Sequence, residues 1–157
     1  MPSSSLECCP RFKPEFWDNK TVIWKNKLFV QAKVRNLFYI PLNFGSVVKK
    51  HSRLITNATA KTEETIILAK DSTMWSTDIY ISVSKQLPGL KMTSISGTFV
   101  SKVFEGHYRN IGQWIKEMHD FVKSKDYSLK TIYIYYTTCP RCAKKYGKNY
   151  VVMLGGV

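Results

Sequence analysis

Ile95-Ser-Gly-Thr-Phe-Val-Ser-Lys-Val-Phe-Glu-Gly-His-Tyr-Arg-Asn-Ile-Gly-Gln-Trp114 changes structural period partway along. Lys91 to Phe104 is rich in β-branched and aromatic residues and predicts a long strand. Gly106 marks a turn and Asn110 a helix N-cap. Beyond it Ile111, Trp114, Ile115, Met118 and Val122 fall at i, i+3, i+4, i+7 and i+11, one face of a helix. Glu105, His107 and Tyr108 therefore sit where a strand ends and a helix begins, a common place to bind something small.

The same grammar holds on either side. Downstream, Lys123 and Lys125 place positive charge at the helix C-terminus, where the helix dipole favours it. Thr131 to Thr137 and Tyr150 to Leu154 read as strands. Upstream, Leu28 to Ile40 is a strand stopped by Pro41. Ser46 is a candidate cap for a helix carrying Val47, Val48, His51, Leu54 and Ile55 on one face. Thr65 to Lys70 is a short strand. Thr77 to Ser84 alternates, with Ile79, Ile81 and Val83 on one face and Asp78, Tyr80 and Ser82 on the other, which predicts a strand with one buried face. Pro88-Gly89 is the boundary.

The order is thus β-α-β-β, Pro-Gly, β-α-β-β. Residues 1–20 form an extended lead-in that lays the aromatics of Pro10-Arg-Phe-Lys-Pro-Glu-Phe-Trp17 on the body. Residues 21–157 form a single domain with halves of about 21–87 and 90–157. Neither half buries the apolar face of its helix alone, so the two must pair. The expected fold is α+β: duplicated β-α-β-β units in one antiparallel sheet, two helices packed on it, and a central groove for a ligand.

Composition limits what such a domain does. With 157 residues the chain buries roughly 70% of its unfolded surface, so its core needs no disulfides. No apolar run approaches the ~20 residues of a membrane span, and Met1 to Pro10 lacks the pattern of a signal peptide. The expectation is a soluble cytoplasmic protein. The net charge of +13 points towards anions. Most of the positive charges are scattered lysines, however, and arginine is the usual reader of bases and phosphates, which argues against nucleic acid as partner.

The duplicated pattern, with its strand-Glu-Gly-x-Tyr-helix junction at Glu105-Gly-His-Tyr108, resembles the GyrI-like small-molecule-binding domain family. Tyr135-Tyr-Thr-Thr-Cys-Pro-Arg-Cys-Ala-Lys-Lys-Tyr-Gly-Lys-Asn-Tyr-Val-Val152 looks like a signature of stand-alone members similar to the GyrI-like cyclopropanoid hydrolases. That family often carries Trp-x-x-(Asp/Glu)-x-Tyr in the last strand. Here Trp75-Ser-Thr-Asp-Ile-Tyr80 matches it in the first half, and the last strand carries Lys148-Asn149-Tyr150. The resemblance implies a small-molecule binder that hydrolyses electrophilic rings such as cyclopropanoids in detoxification. The alternatives are a non-catalytic ligand sensor or scavenger and, behind it, a basic nucleic-acid-associated protein.

Candidate residues follow from both arguments. Glu105 or Asp78 would activate a water, since a positioned carboxylate serves as general base. Tyr133 or Tyr80 would donate a hydrogen bond to developing negative charge. Trp75, Tyr80, Tyr108, Tyr135 and Phe104 would line the site and hold a flat, aromatic or cationic ligand by stacking and cation–π attraction. His107 reads as a surface histidine. Cys139-Pro-Arg-Cys142 supplies two of the four ligands a structural zinc needs, so no metal and no cofactor are expected.

Overall fold

A long alternating stretch, Lys20–Leu37, forms the first strand, β1, which begins well before Leu28. Strand character in this region is carried by Val22 and Trp24, while Ile23 points to solvent at 74% exposure. Next come β2 (Ile40–Pro41), α1 (Phe44–Asn57), β3 (Ile67–Lys70) and β4 (Ser76–Ser82). After the Pro88-Gly89 turn follow β5 (Met92–Glu105), α2 (Ile111–Ser124), β6 (Thr131–Tyr136) and β7 (Tyr150–Gly156). This computed structural model describes residues 12–37, 40–62, 65–70, 74–137 and 147–157, with the side chains of residues 40, 41 and 108 excepted. Cys139 and Cys142 lie outside them.

The strands run in the order β2-β1-β4-β3-β6-β7-β5, and β1 also pairs with β5. Six strands therefore close into an antiparallel barrel accompanied by two helices. This corrects the expected open sheet carrying both helices and a central groove. The physical reason is strand length. β1 and β5 are long enough to hydrogen-bond along both edges, and a ring leaves no edge unpaired. A second correction follows for β4. Tyr80 and Ser82 are buried, as are Ile79 and Ile81, so both faces of the strand are covered.

The chain divides into two compact units, one of Trp24–Gly97 and one of Met1–Ile23 with Thr98–Val157. The β-α-β-β order occurs in each, and the pairing repeats with it. In the first, β1 and β3 flank β4; in the second, β5 and β6 flank β7. The last strand of each unit is central, which explains why Tyr150-Val-Val-Met-Leu154 reads as a continuous apolar run.

In the Trp24–Gly97 unit, α1 lays Ile55 against Val30, Ile81 and Val83. The helix begins at Phe44, two residues before the expected cap at Ser46. Asn43 occupies the N-cap position, but its Oδ1 accepts the Arg35 N–H at 2.8 Å and so ties the helix start to β1. Ser82, fully buried, accepts the Ile66 N–H at 2.8 Å through its hydroxyl, which satisfies a polar group inside the core.

In the other unit, Met118 and Val122 of α2 pack on Val100, Val151 and Met153, and Trp114 stacks on Phe104 with centroids 5.5 Å apart. Gly155 allows this close approach. A Cβ there would lie 2.9 Å from Leu129 Cδ1, 3.1 Å from Met118 Cε and 3.2 Å from Val122 Cγ2. No helix among the described residues is long and apolar enough to cross a membrane.

Gly155→Val should destabilise the protein by about 2 kcal/mol, because its branches have no space between α2 and β7. Gly112→Ala, at a helical position with open space around it, should stabilise by about 0.5 kcal/mol. The midpoints of urea unfolding test both signs.

Candidate functional site

β5, β7 and β6 have two faces, and side chains two apart share one. Val100, Phe104, Val151, Met153, Ile132, Ile134 and Tyr136 face α2. The register builds the opposite face in rows: Phe99 with Gly156 and Thr131, Ser101 with Leu154 and Tyr133, Val103 with Val152 and Tyr135, and Glu105 with Tyr150. That face is aromatic along β6 and carries a carboxylate at its end.

The lead-in covers part of it. Trp17 meets Tyr135 edge-on at 5.4 Å, and Phe12 lies 6.2 Å from Tyr135 and 5.6 Å from Tyr150. Side-chain-to-backbone hydrogen bonds hold the segment in place. The buried Ser101 hydroxyl donates to the Trp17 carbonyl and, at 3.3 Å, to the Lys20 carbonyl. The Val103 N–H donates to Asp18 Oδ1 at 3.1 Å. Phe12 and Trp17 thus add two rings to the wall, beyond the packing role expected of the lead-in aromatics.

Glu105 sits at the strand end, its side chain 54% exposed and 4.0 Å from Lys148 Nζ. Asn149 fixes this corner. Its carbonyl accepts the Gly106 N–H at 3.0 Å and its Nδ2 donates to the Gly106 carbonyl at 2.7 Å. Gly106 has φ +144, a conformation side chains rarely adopt, and a Cβ there would press on Trp114 at 3.3 Å. The clamp presents Lys148 and Tyr150, on either side of Asn149, to Glu105. Tyr150 is therefore the tyrosine beside the carboxylate. Tyr133 lies four strand residues away, roughly 13 Å along the sheet. Only strand pairing reveals this neighbour, since Tyr150 is remote from Glu105 in sequence.

The other expected residues are distributed as follows. Tyr133 is buried, edge-on to Phe99 at 5.9 Å. Phe104 belongs to the α2 side, under Trp114. His107 is exposed, and its Nδ1 accepts the Arg109 N–H at 3.1 Å. Tyr108 opens a short 3-10 turn, Tyr108–Asn110, and its side chain is outside those described. Asp78, Tyr80 and Trp75 belong to the Trp24–Gly97 unit. Asp78 is 3.8 Å from Lys33 and lies across from Lys70 in the ladder. Tyr80 is buried edge-on to Phe29 at 6.5 Å, whereas Trp75 is 61% exposed.

The family described as bacterial hydrolase matches residues 1–157. No curated protein matches the sequence significantly. Among solved structures, an uncharacterized conserved protein from Listeria innocua is similar with a TM-score of 0.62 at 10% identity, over 87% of this chain and 90% of that one. A hydrolase encoded by lin2189 from Listeria innocua is similar with a TM-score of 0.58 at 10% identity, over 89% of this chain and 92% of that one. At such identity the likeness concerns the fold.

On the α2 side, burial pushes the Tyr136 hydroxyl up from 10.0 to about 12. The unfolded chain releases this proton first, so the stabilising contribution is complete below pH 10 and is lost as pH rises towards 12. From about pH 8 to about pH 11 the loss should be about 1 kcal/mol, and Tyr136→Phe should flatten that part of the profile. Urea unfolding of both proteins across this range checks it.

Proposed function

The chain belongs to the bacterial hydrolase family, and on that premise we propose that it hydrolyses an electrophilic small ring of the cyclopropanoid type at the Glu105 end of the β5–β7–β6 face. The observation that carries this reading is a water-accessible carboxylate on the sheet face that carries Tyr135 and Tyr150 and that Phe12 and Trp17 pack against. The resemblance to GyrI-like cyclopropanoid hydrolases supplies the substrate class.

The aromatic rings hold a flat or cationic ligand by stacking. Glu105 takes a proton from water as the water oxygen bonds to a ring carbon. The strained C–C bond breaks, and its electron pair passes to the carbon next to an electron-withdrawing group. That carbon is then protonated, so the net change is addition of one water. Tyr150, next to Glu105 in the register, donates a hydrogen bond to the negative charge as it develops. Lys148 holds the Glu105 carboxylate in place. Tyr133 and Tyr135 lie buried further along the face and support this wall from behind.

Asp78 is the rival base, on the other unit, and its position between Lys33 and Lys70 gives it a structural alternative as an ion-pair partner. A cyclopropane-containing alkylator, incubated with the pure protein, should yield a ring-opened alcohol by mass spectrometry. Glu105→Gln should lower kcat/KM by about a hundredfold or more, and Asp78→Asn should leave it within a few-fold. Turnover that persists in the double variant removes both carboxylates from the reaction. A thermal shift with aromatic cations but no product in any variant would instead identify a non-catalytic binder.

A further inference from the structure

From Asn19 to Thr62 the sequence contains no acidic residue, while Lys20, Lys25, Lys27, Lys33, Arg35, Lys49, Lys50, Arg53 and Lys61 all fall within it. The fold gives this bias a direction. The exposed face of α1 carries Ser46, Lys49, Lys50, Arg53, Leu54 and Asn57, at helical spacing, with no acid among them. At the start of this helix the same unit exposes apolar side chains. Leu42 is 63% exposed, Trp75 61%, Leu37 46% and Met74 36%.

Two backbone hydrogen bonds and one ladder pairing gather them. The Asn36 N–H donates to the Trp75 carbonyl at 2.7 Å, the Leu42 N–H donates to the Arg35 carbonyl at 2.9 Å, and Leu37 pairs with Ile40. Arg35 stands in the middle, across the ladder from Ser76. Asp78, on the neighbouring stretch of β4, is already occupied by Lys33.

We propose that this corner of the Trp24–Gly97 unit docks on an anionic lipid surface, with Trp75 and Leu42 entering the interface and Lys49, Lys50 and Arg53 facing the headgroups. An exposed indole beside aliphatic side chains is at home at the level of the headgroups. Insertion of apolar side chains combined with attraction of basic ones to anionic lipid is how peripheral proteins bind membranes. A nucleic acid would use the lysines but gain little from Leu37, Leu42 and Met74, which offer nothing to phosphates or base edges. The proposal is independent of the hydrolase reading, since it rests on residues of the Trp24–Gly97 unit and not on Glu105.

The test is co-sedimentation of the full-length protein with large unilamellar vesicles, either pure phosphatidylcholine or equal parts phosphatidylcholine and phosphatidylglycerol. The protein should pellet with the anionic vesicles only, and added salt should release it. Lys49→Gln, Lys50→Gln and Arg53→Gln combined should weaken binding on the order of a hundredfold. Trp75→Ala with Leu42→Ala should weaken it about tenfold. Ile23→Ala, an exposed apolar position of the other unit, should bind as the parent does. All substituted positions are exposed, and thermal melts by circular dichroism confirm that each variant folds. Equal pelleting with both vesicle types overturns the proposal, as does indifference to Trp75→Ala with Leu42→Ala, or an equal loss in Ile23→Ala. Tighter binding to a single-stranded oligonucleotide than to anionic vesicles, unaffected by the apolar variants, assigns the basic face to nucleic acid and also overturns it.

Discussion

The strand β1 gives up both of its edges. Its middle residues pair with β4 on one side, and on the other the Gln31 N–H donates to the Lys91 carbonyl just before β5. β5 is likewise shared between β1 and β7. Backbone groups left unpaired in a buried sheet are costly, so two-sided pairing largely determines the order of the strands. It closes the ring of strands and makes β4 and β7 central. Once a strand is central, its hydrogen bonds are satisfied laterally and both of its faces are free to bury side chains. The helices then need only one face each, which is what their apolar spacing provides.

The Glu105 corner shows how a single side chain shapes a site without touching a ligand. Asn149 bonds both backbone groups of Gly106. The glycine is in a conformation that other residues avoid, and Trp114 leaves it little room. These constraints end β5 at a definite residue and aim Glu105 at the rim rather than into the core. Lys148 and Tyr150 arrive beside it because they flank the asparagine that forms the clamp. The lead-in is organised by similar means, since Ser101 holds its backbone and the Asp18 carboxylate accepts the Val103 N–H, while Trp17 and Phe12 pack on the tyrosines. The aromatic face is thus assembled from residues far apart in the chain.

Charge is distributed by a different logic. The unit that carries Glu105 also contains Asp18, Glu117, Asp120 and Asp126, whereas the acid-free stretch falls largely in the other unit. A uniform lysine coat would serve solubility equally well on either. Concentrating basic residues on α1, next to exposed Leu42 and Trp75, produces a surface with both apolar and electrostatic character. Leu37, Leu42, Met74 and Trp75 are exposed together there, and an exposed apolar cluster rimmed by polar residues marks an interaction site.

Local order was legible because it depends on periods. The apolar spacing from Ile111 to Val122 marks α2, Asn110 its start, and the alternation around Ile79 and Ile81 marks β4. The repeat of β-α-β-β is visible for the same reason. Tyr150 beside Glu105, the lead-in across Tyr135 and the second buried face of β4 were not visible, because each depends on which distant segment pairs with which. The sequence by itself determined the elements, their order and the acid-free basic stretch, since propensity, side-chain period and charge are properties of neighbouring residues. Only the tertiary structure decided that the sheet closes and that Glu105 shares a row with Tyr150, because hydrogen-bond register between remote strands is set by the packing of the whole chain.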